Sequence, residues 1–183
     1  LRVGSELHAR LAGEARALGR SLNEHCVRRL SGAAVGERLA GVGLDGAFLD
    51  RLVGAFPAQP LAVVLFGSVA RGDYGTESDV DLLVVFDPDV RIVRSLYARF
   101  DAVADRADFP HRPNPHLVAL PRDAASCGGL WFEAALDGAV LWEQGVRVSS
   151  FLGMLRDRIA AGALRRRTAH GHAYWVRREE EAG

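Results

Sequence analysis

The sequence predicts an α/β fold, a mixed sheet flanked by helices, with a small helical unit ahead of it. Three observations carry this prediction. Near-continuous apolar runs at 61–66 and 80–86 have the length and boundaries of buried strands, apolar residues recur at helical spacing between and after them, and residues 1–31 follow a separate pattern too short to fold alone. With 183 residues, 49% of them apolar and 25% charged, the chain is long enough to enclose a core and too apolar to be disordered.

In residues 1–31, Leu1-Arg2-Val3 alternates as a short strand. Leu7, Leu11, Ala15 and Leu18 then share one face of a helix that Ser5 can cap and Gly19 can end. Ser21-Leu22-Asn23-Glu24 has the form of a capping box, and Leu22, Cys26, Val27 and Leu30 face inward on the helix behind it. In residues 32–60, the Gly- and Ala-rich stretch 32–44 reads as a linker. Asp45 is placed to cap a helix with Leu49, Leu52, Val53 and Phe56 on its buried side, stopped by Pro57 and Pro60.

Residues 61–145 hold the sheet. Strands are expected at 61–66 and 80–86, then a helix over 90–107, a Pro-rich turn, a strand at 116–120 and another at 139–142, with Trp131, Phe132 and Trp142 in the core. In residues 146–183, Ser149 or Ser150 can cap a helix through Ala160, and a shorter Arg-rich helix is expected to follow it.

Charge and composition exclude several chemistries. The 23 basic residues balance the 23 acidic ones, and every basic residue is Arg. A phosphate-binding loop of the Walker type needs a Lys, as does a Schiff-base enzyme, so both are excluded. Cys26 and Cys127 are far apart and lack a CxxC partner, which argues against a disulfide framework or zinc site and for a reducing cytoplasm. No apolar run reaches the roughly 18 to 20 residues of a spanning helix, and the first residues are polar rather than signal-like. The start at Leu1 rather than Met allows for an upstream piece.

The neutral total hides a division. Residues 1–31 carry six Arg against three acids, net +3, and residues 61–145 carry seven against thirteen, net −6. Residues 146–178 carry eight Arg against one acid, net +7, before Glu179-Glu180-Glu181. The Arg165-Arg166-Arg167 and Arg177-Arg178 runs read either as a contact for nucleic acid or a phosphate-bearing substrate, or as a solvated helix face. His170 and His172, without a third ligand, make an incomplete metal site.

The most informative stretch joins the two apolar strands. Gly67-Ser68 closes the first, ten residues intervene, and Asp79-Val80-Asp81 opens the second. Strand alternation points Asp79 and Asp81 the same way while Val80 packs inward. Two adjacent carboxylates repel unless a cation lies between them, which makes the pair a site for a hard metal, Mg²⁺ shared with substrate phosphates. Gly67 allows close backbone approach, and the amides and hydroxyl at Ser68 suit a terminal phosphate.

This stretch resembles the minimal nucleotidyltransferases of the DNA polymerase beta superfamily, whose signature is GS, ten residues, then DxD. The likeness spans residues 65–85 and includes Ala70-Arg71-Gly72 and Ser78. It implies a palm-like mixed sheet, a site for ATP or another NTP, and two-metal transfer of a nucleoside monophosphate, AMP by preference, to a hydroxyl with loss of pyrophosphate. By the resemblance Gly67 and Ser68 bind the triphosphate and Asp79 and Asp81 the metals, while Arg71 has no fixed role. A third carboxylate on a later strand commonly acts as base; the residue at the expected place is His116. Three readings stand: His116 is the base, Glu133 or Asp123 supplies it, or the site binds nucleotide without turnover. A plain strand-opening role for His116 stands beside them.

Residues 1–31 resemble a ribbon-helix-helix domain of the Arc, CopG and HicB-like kind, on the strand, the GRSLNE turn and the helix spacing. The resemblance implies a homodimer whose paired strands enter the DNA major groove, with Arg2 facing the bases and Ser21 and Asn23 at a helix start that meets a phosphate. A dimerisation module without DNA binding and a helical hairpin packed on the catalytic domain are the alternatives. Together the modules suggest a cytoplasmic antitoxin that binds promoter DNA and modifies a toxin partner. A repressor with an inactive transferase domain, or a small-molecule transferase of the aminoglycoside type, are the rival readings.

Overall fold

The computed structural model describes residues 4–17, 21–23, 25–26, 39, 41–107, 109–169 and 172–177. Its centre is a four-stranded mixed sheet. Strands β1 (Ala62–Phe66) and β2 (Val80–Phe86) pair antiparallel, β3 (Pro113–Ala119) runs parallel to β2, and β4 (Ala139–Glu143) lies antiparallel on the other side of β1, giving the order β3-β2-β1-β4. Alternate residues of the two central strands enter different cores: Val64, Phe66, Leu83 and Val85 one, Val63, Leu65, Leu82, Val84 and Phe86 the other. Burial on both faces is why these strands read as continuous apolar runs.

Helix α1 (Ser5–Ala17) leads the chain. Helices α2 (Gly46–Ala55) and α4 (Arg94–Ala104) cover one face of the sheet, and α5 (Gly129–Asp137) and α6 (Arg147–Ala160) the other, while the single turn α3 (Gly67–Arg71) leaves the end of β1. Asp45 caps α2 as expected, its carboxylate accepting from Phe48 N at 2.7 Å. Trp131 and Phe132 are buried, and Trp142 packs against the core while partly exposed. No helix among the described residues is long and apolar enough to cross a membrane.

Strand β3 starts at Pro113, three residues before the expected start, because its prolines do not break the ladder. Arg112 O accepts from Val80 N, and Leu120 N donates to Phe86 O, so even-numbered residues bond to β2. Pro113 and Pro115 therefore direct their missing N–H groups away, at the sheet edge where Pro is tolerated.

Expectations for the later part of the chain are corrected as well. The Arg-rich stretch after Ala160 is not a helix but an antiparallel hairpin, β5 (Leu164–Ala169) and β6 (His172–Arg177), in which Leu164 pairs with Arg177 and Arg167 with Tyr174. The consecutive arginines hide a strand alternation in which Leu164 is buried while Arg165 and Arg167 are exposed. Neither Ser149 nor Ser150 caps α6. Its first amides, Val148 N and Ser149 N, donate instead to the Glu143 carboxylate at 2.7 and 3.0 Å, an acid from the preceding strand well placed at a positive helix end. The helix expected over 90–107 is confined to Arg94–Ala104.

At the N-terminus, α1 packs on α6 through Gly13, where a β-carbon would overlap the Ala160 carbonyl. This close approach buries Gly13, Glu14, Ala15 and Ala17 and leaves Leu7, one of the residues expected to face inward, 38% exposed. Ser5 is the first residue of α1 rather than its cap. Glu14 meets His25 at 2.7 Å, a buried pair joining α1 to the helical residues 25 and 26. Residues 1–3, with Arg2, and Glu24 of the expected capping box lie outside the described residues.

Candidate active site

The site is assembled where β1 ends and β2 begins. Phe66 closes β1 opposite Asp81, so Gly67 is the residue that lies beside the Asp81 carboxylate. Gly67 has a φ of 77°, and a β-carbon there would overlap Asp81 Oδ2. Both the left-handed backbone and the close approach require glycine. Behind it α3 makes one turn and stops at Gly72, whose φ of 78° lets its N–H bond back to Ser68 O and Val69 O.

The loop between α3 and β2 is braced by its own polar groups. Asp73 N donates to Ser68 O at 3.1 Å, Arg71 Nε reaches both Asp73 carboxylate oxygens, and Gly75 N donates to Ser78 Oγ at 3.0 Å. His111 Nδ1–H donates to Ser78 O at 3.0 Å, and its ring stands edge-on to Tyr74 with centroids 5.5 Å apart. This ties the approach to β2 to the chain entering β3.

Strand β3 supplies two further groups. Asn114 lies directly opposite Asp81 and His116 opposite Leu83, two places along the same face. Asn114 Nδ2 donates to Asp81 Oδ1 at 2.8 Å and stands 3.3 Å from His116 Nε2. His116 Nε2 is in turn 3.6 Å from Asp81 Oδ1, and its ring packs on Phe66 with centroids 5.2 Å apart. An amide NH2 group only donates, so Nε2 of a neutral His116 is the acceptor; a protonated Nε2 would point its proton toward Asp81 instead. The arrangement sets a ring nitrogen beside a carboxylate.

Asp79 precedes β2 and is exposed. With Asn114 and Arg112 it lines an open groove of ≈ 800 Å³ between β3 and α4, to which Asp101 and Asp105 add two more acids. Ser68 sits half-buried in the first turn of α3. Among the described residues no group of three or more His, Cys, Asp or Glu gathers into a metal cluster. The donors present, hard carboxylate oxygens on Asp79 and Asp81, fit Mg²⁺, which commonly uses one or two carboxylates and completes its shell with phosphate oxygens and water.

The structure brings Gly67, Asp81 and His116 together and separates the other candidate bases. Asp123 caps the short 3₁₀ turn Ala124–Ser126, accepting from Ser126 N at 2.7 Å. Glu133 accepts from Arg166 Nε at 2.7 Å and Trp175 Nε1 at 2.9 Å, anchoring the C-terminal hairpin. Ser21 and Asn23 are exposed, Ser21 just before and Asn23 within the helical residues 22 and 23. Sequence reasoning missed Asn114 and His111; Asn114 has the same strand parity as His116, a signal that β3 starting at Pro113 would have revealed.

With this geometry in hand, comparisons with known proteins give three findings. Residues 48–113, which contain β1, α3, β2 and the loop between them, match the model of the nucleotidyltransferase domain family. A Methanocaldococcus jannaschii protein carrying the name protein adenylyltransferase is 43% identical over 49 residues, 27% of this chain. The chain spans about half, 49%, of that relative's length. Two solved toxin–antitoxin structures superpose in part. One, with AMP-PNP, has a TM-score of 0.42 and 18% identity over 61% of this chain and 83% of its own; the other, a mutant of the MntA–HpeT pair, has 0.41 and 21% over 64% and 94%.

Proposed function

We propose that this chain is a metal-dependent nucleotidyltransferase that moves a nucleoside monophosphate, AMP by preference, from an NTP to a hydroxyl group of a protein acceptor. The family match over residues 48–113 supports the reaction class, and the name of the Methanocaldococcus relative supports a protein acceptor. The observation that carries the reading is the seating of the Asp81 carboxylate between Gly67 and Asn114 with His116 3.6 Å away.

In this reading the first turn of α3 faces the triphosphate, with Gly67 leaving room for it and Ser68 offering its hydroxyl and amide. Asp79 and Asp81 would hold Mg²⁺, which when bound neutralises phosphate charge and orients the α-phosphate. The acceptor oxygen bonds to the α-phosphorus, the bond to pyrophosphate breaks, and the hydroxyl proton passes to His116 Nε2, where Asp81 Oδ1 stabilises the resulting positive charge. The acidic groove beside Asp79 is the approach for the acceptor.

A toxin protein as the acceptor, and promoter DNA bound through a dimer of the N-terminal segment with Arg2, Ser21 and Asn23, belong to the same reading as its regulatory half. The packing of α1 on α6 favours the rival view of that segment as a helical unit docked on the catalytic domain. Incubation with α-labelled ATP, Mg²⁺ and candidate acceptor proteins tests the core claim. Label should pass to a protein, and Asp79→Ala/Asp81→Ala should abolish it; ATP binding without transfer to any acceptor would leave only a nucleotide-binding domain.

A further inference from the structure

The hairpin β5–β6 sorts its arginines by strand alternation. On the inner face Arg166 bonds to Glu133, Trp175 bonds to the same carboxylate and packs on Phe132, and Arg177 donates to Cys127 O at 2.9 Å. These bonds fasten the hairpin to α5 and the turn before it. Arg165 and Arg167 point the other way, exposed, and Tyr174, paired with Arg167 across the ladder, is 46% exposed.

Across a pocket of ≈ 580 Å³ stands Arg16, exposed on α1, facing Arg165 and Arg167. Among the described residues no Asp or Glu lines this pocket, to which Arg166 also contributes, or the smaller one formed by Arg165, Arg167, Val176 and Arg177. Among the described residues, Arg16, Arg165 and Arg167 are paired with no carboxylate. Three guanidinium groups held near one another without counter-charge repel, and an anionic partner relieves that repulsion.

We infer that this face, Arg16, Arg165, Arg167 and Tyr174, binds a single-stranded nucleic acid, with the guanidinium groups on successive phosphates and Tyr174 beneath a base. Charge complementarity alone would equally suit an acidic protein segment. An exposed aromatic ring opposite Arg167 in the two-stranded ladder favours unpaired bases, which stack on such rings where an acidic peptide has nothing to offer them. Binding through phosphate and base face ignores the sugar, so RNA and DNA strands bind alike. The surface is separate from the carboxylate site, and the inference does not depend on transfer activity.

The test is fluorescence anisotropy of the full chain with labelled oligo(U) and oligo(dT) of about 12 nucleotides, within the range that small binding platforms cover. Both should bind, and a duplex of equal length should bind more weakly. Arg165→Gln/Arg167→Gln should weaken binding about tenfold or more and lower the slope of log affinity against log salt by roughly 1.4, about 0.7 for each phosphate no longer neutralised. Tyr174→Ala should weaken it roughly five- to hundredfold, the range for removing a stacked ring, and leave the salt slope unchanged. Should the double variant melt early, Arg16→Gln on a different element gives an independent reading, a slope lower by about 0.7. Absence of binding, indifference to Tyr174→Ala, or equal displacement by poly-glutamate would overturn the inference, the last two pointing to an acidic protein partner.

Discussion

Asn114 donates its side-chain amide to Asp81 Oδ1 at 2.8 Å, across the parallel β2–β3 pair of the central sheet. The bond crosses from the strand that carries the carboxylate motif to the strand that carries His116, so one amide touches both the Asp81 carboxylate and the His116 ring. Removing it should impair chemistry far more than folding.

Asn114→Ala is expected to lower transfer rate about 10- to 100-fold, the usual effect of losing a group that orients a metal ligand. Loss of one partly buried hydrogen bond should cost only about 1 kcal/mol of stability. Initial rates with α-labelled ATP, set beside urea unfolding of the same variant, separate the two effects.

Gly67→Ala combines a left-handed backbone with a side chain that meets Asp81. The conformational part alone costs roughly 1–2 kcal/mol, and the displaced carboxylate should remove nearly all transfer activity. A variant that kept wild-type rates would show that Asp81 is not needed where the structure holds it.

Glu133 is bonded to Arg166 and Trp175, so its replacement should loosen the hairpin and spare the chemistry. For Glu133→Ala we expect faster tryptic cleavage at Arg165–Arg167 and a destabilisation of about 1–3 kcal/mol, as for hydrogen bonds to a charged group. Catalytic rate per folded molecule should stay near wild type; a collapse of that rate would make Glu133 a candidate base again.

Asp87 bonds to Arg147 at 2.9 Å at the start of α6, and that hydrogen bond, with a second from Asp89 N, holds its carboxyl below the usual 3.8. A pKa lowered in the folded state adds stability that is present above the unfolded value and lost as pH falls through the folded one. The difference in melting temperature between wild type and Asp87→Asn should therefore be small but measurable near neutral pH and shrink as the pH falls below the unperturbed carboxylate value of about 3.9. A difference that grew on acidification would contradict the ion pair.

Much of this architecture can be read from the chain because its physical causes are local. Asp45 caps its helix by reaching three residues ahead, and the runs at 61–66 and 80–86 are apolar because both sheet faces are covered. Gly67 and Asp81 could be paired in advance through the motif that spaces them. Asn114 could not, since its partner is 33 residues away and its strand opens on two prolines whose compatibility with the ladder depends on which way their nitrogens face. The hairpin was hidden for a related reason: three consecutive arginines mask an in–out alternation that only Glu133, far along the chain, makes visible. The cap of α6 is likewise an acid from the preceding strand rather than the nearby serines.

The outward edge of β3 has a consequence for assembly. Of the four residues directed away from β2, Pro113 and Pro115 have no N–H, so a strand arriving from another molecule would find acceptors there without the matching donors. That first half of the edge is blunted against sheet extension, and the end of β3 bearing Asn114 and His116 stays open to whatever enters the groove beside it.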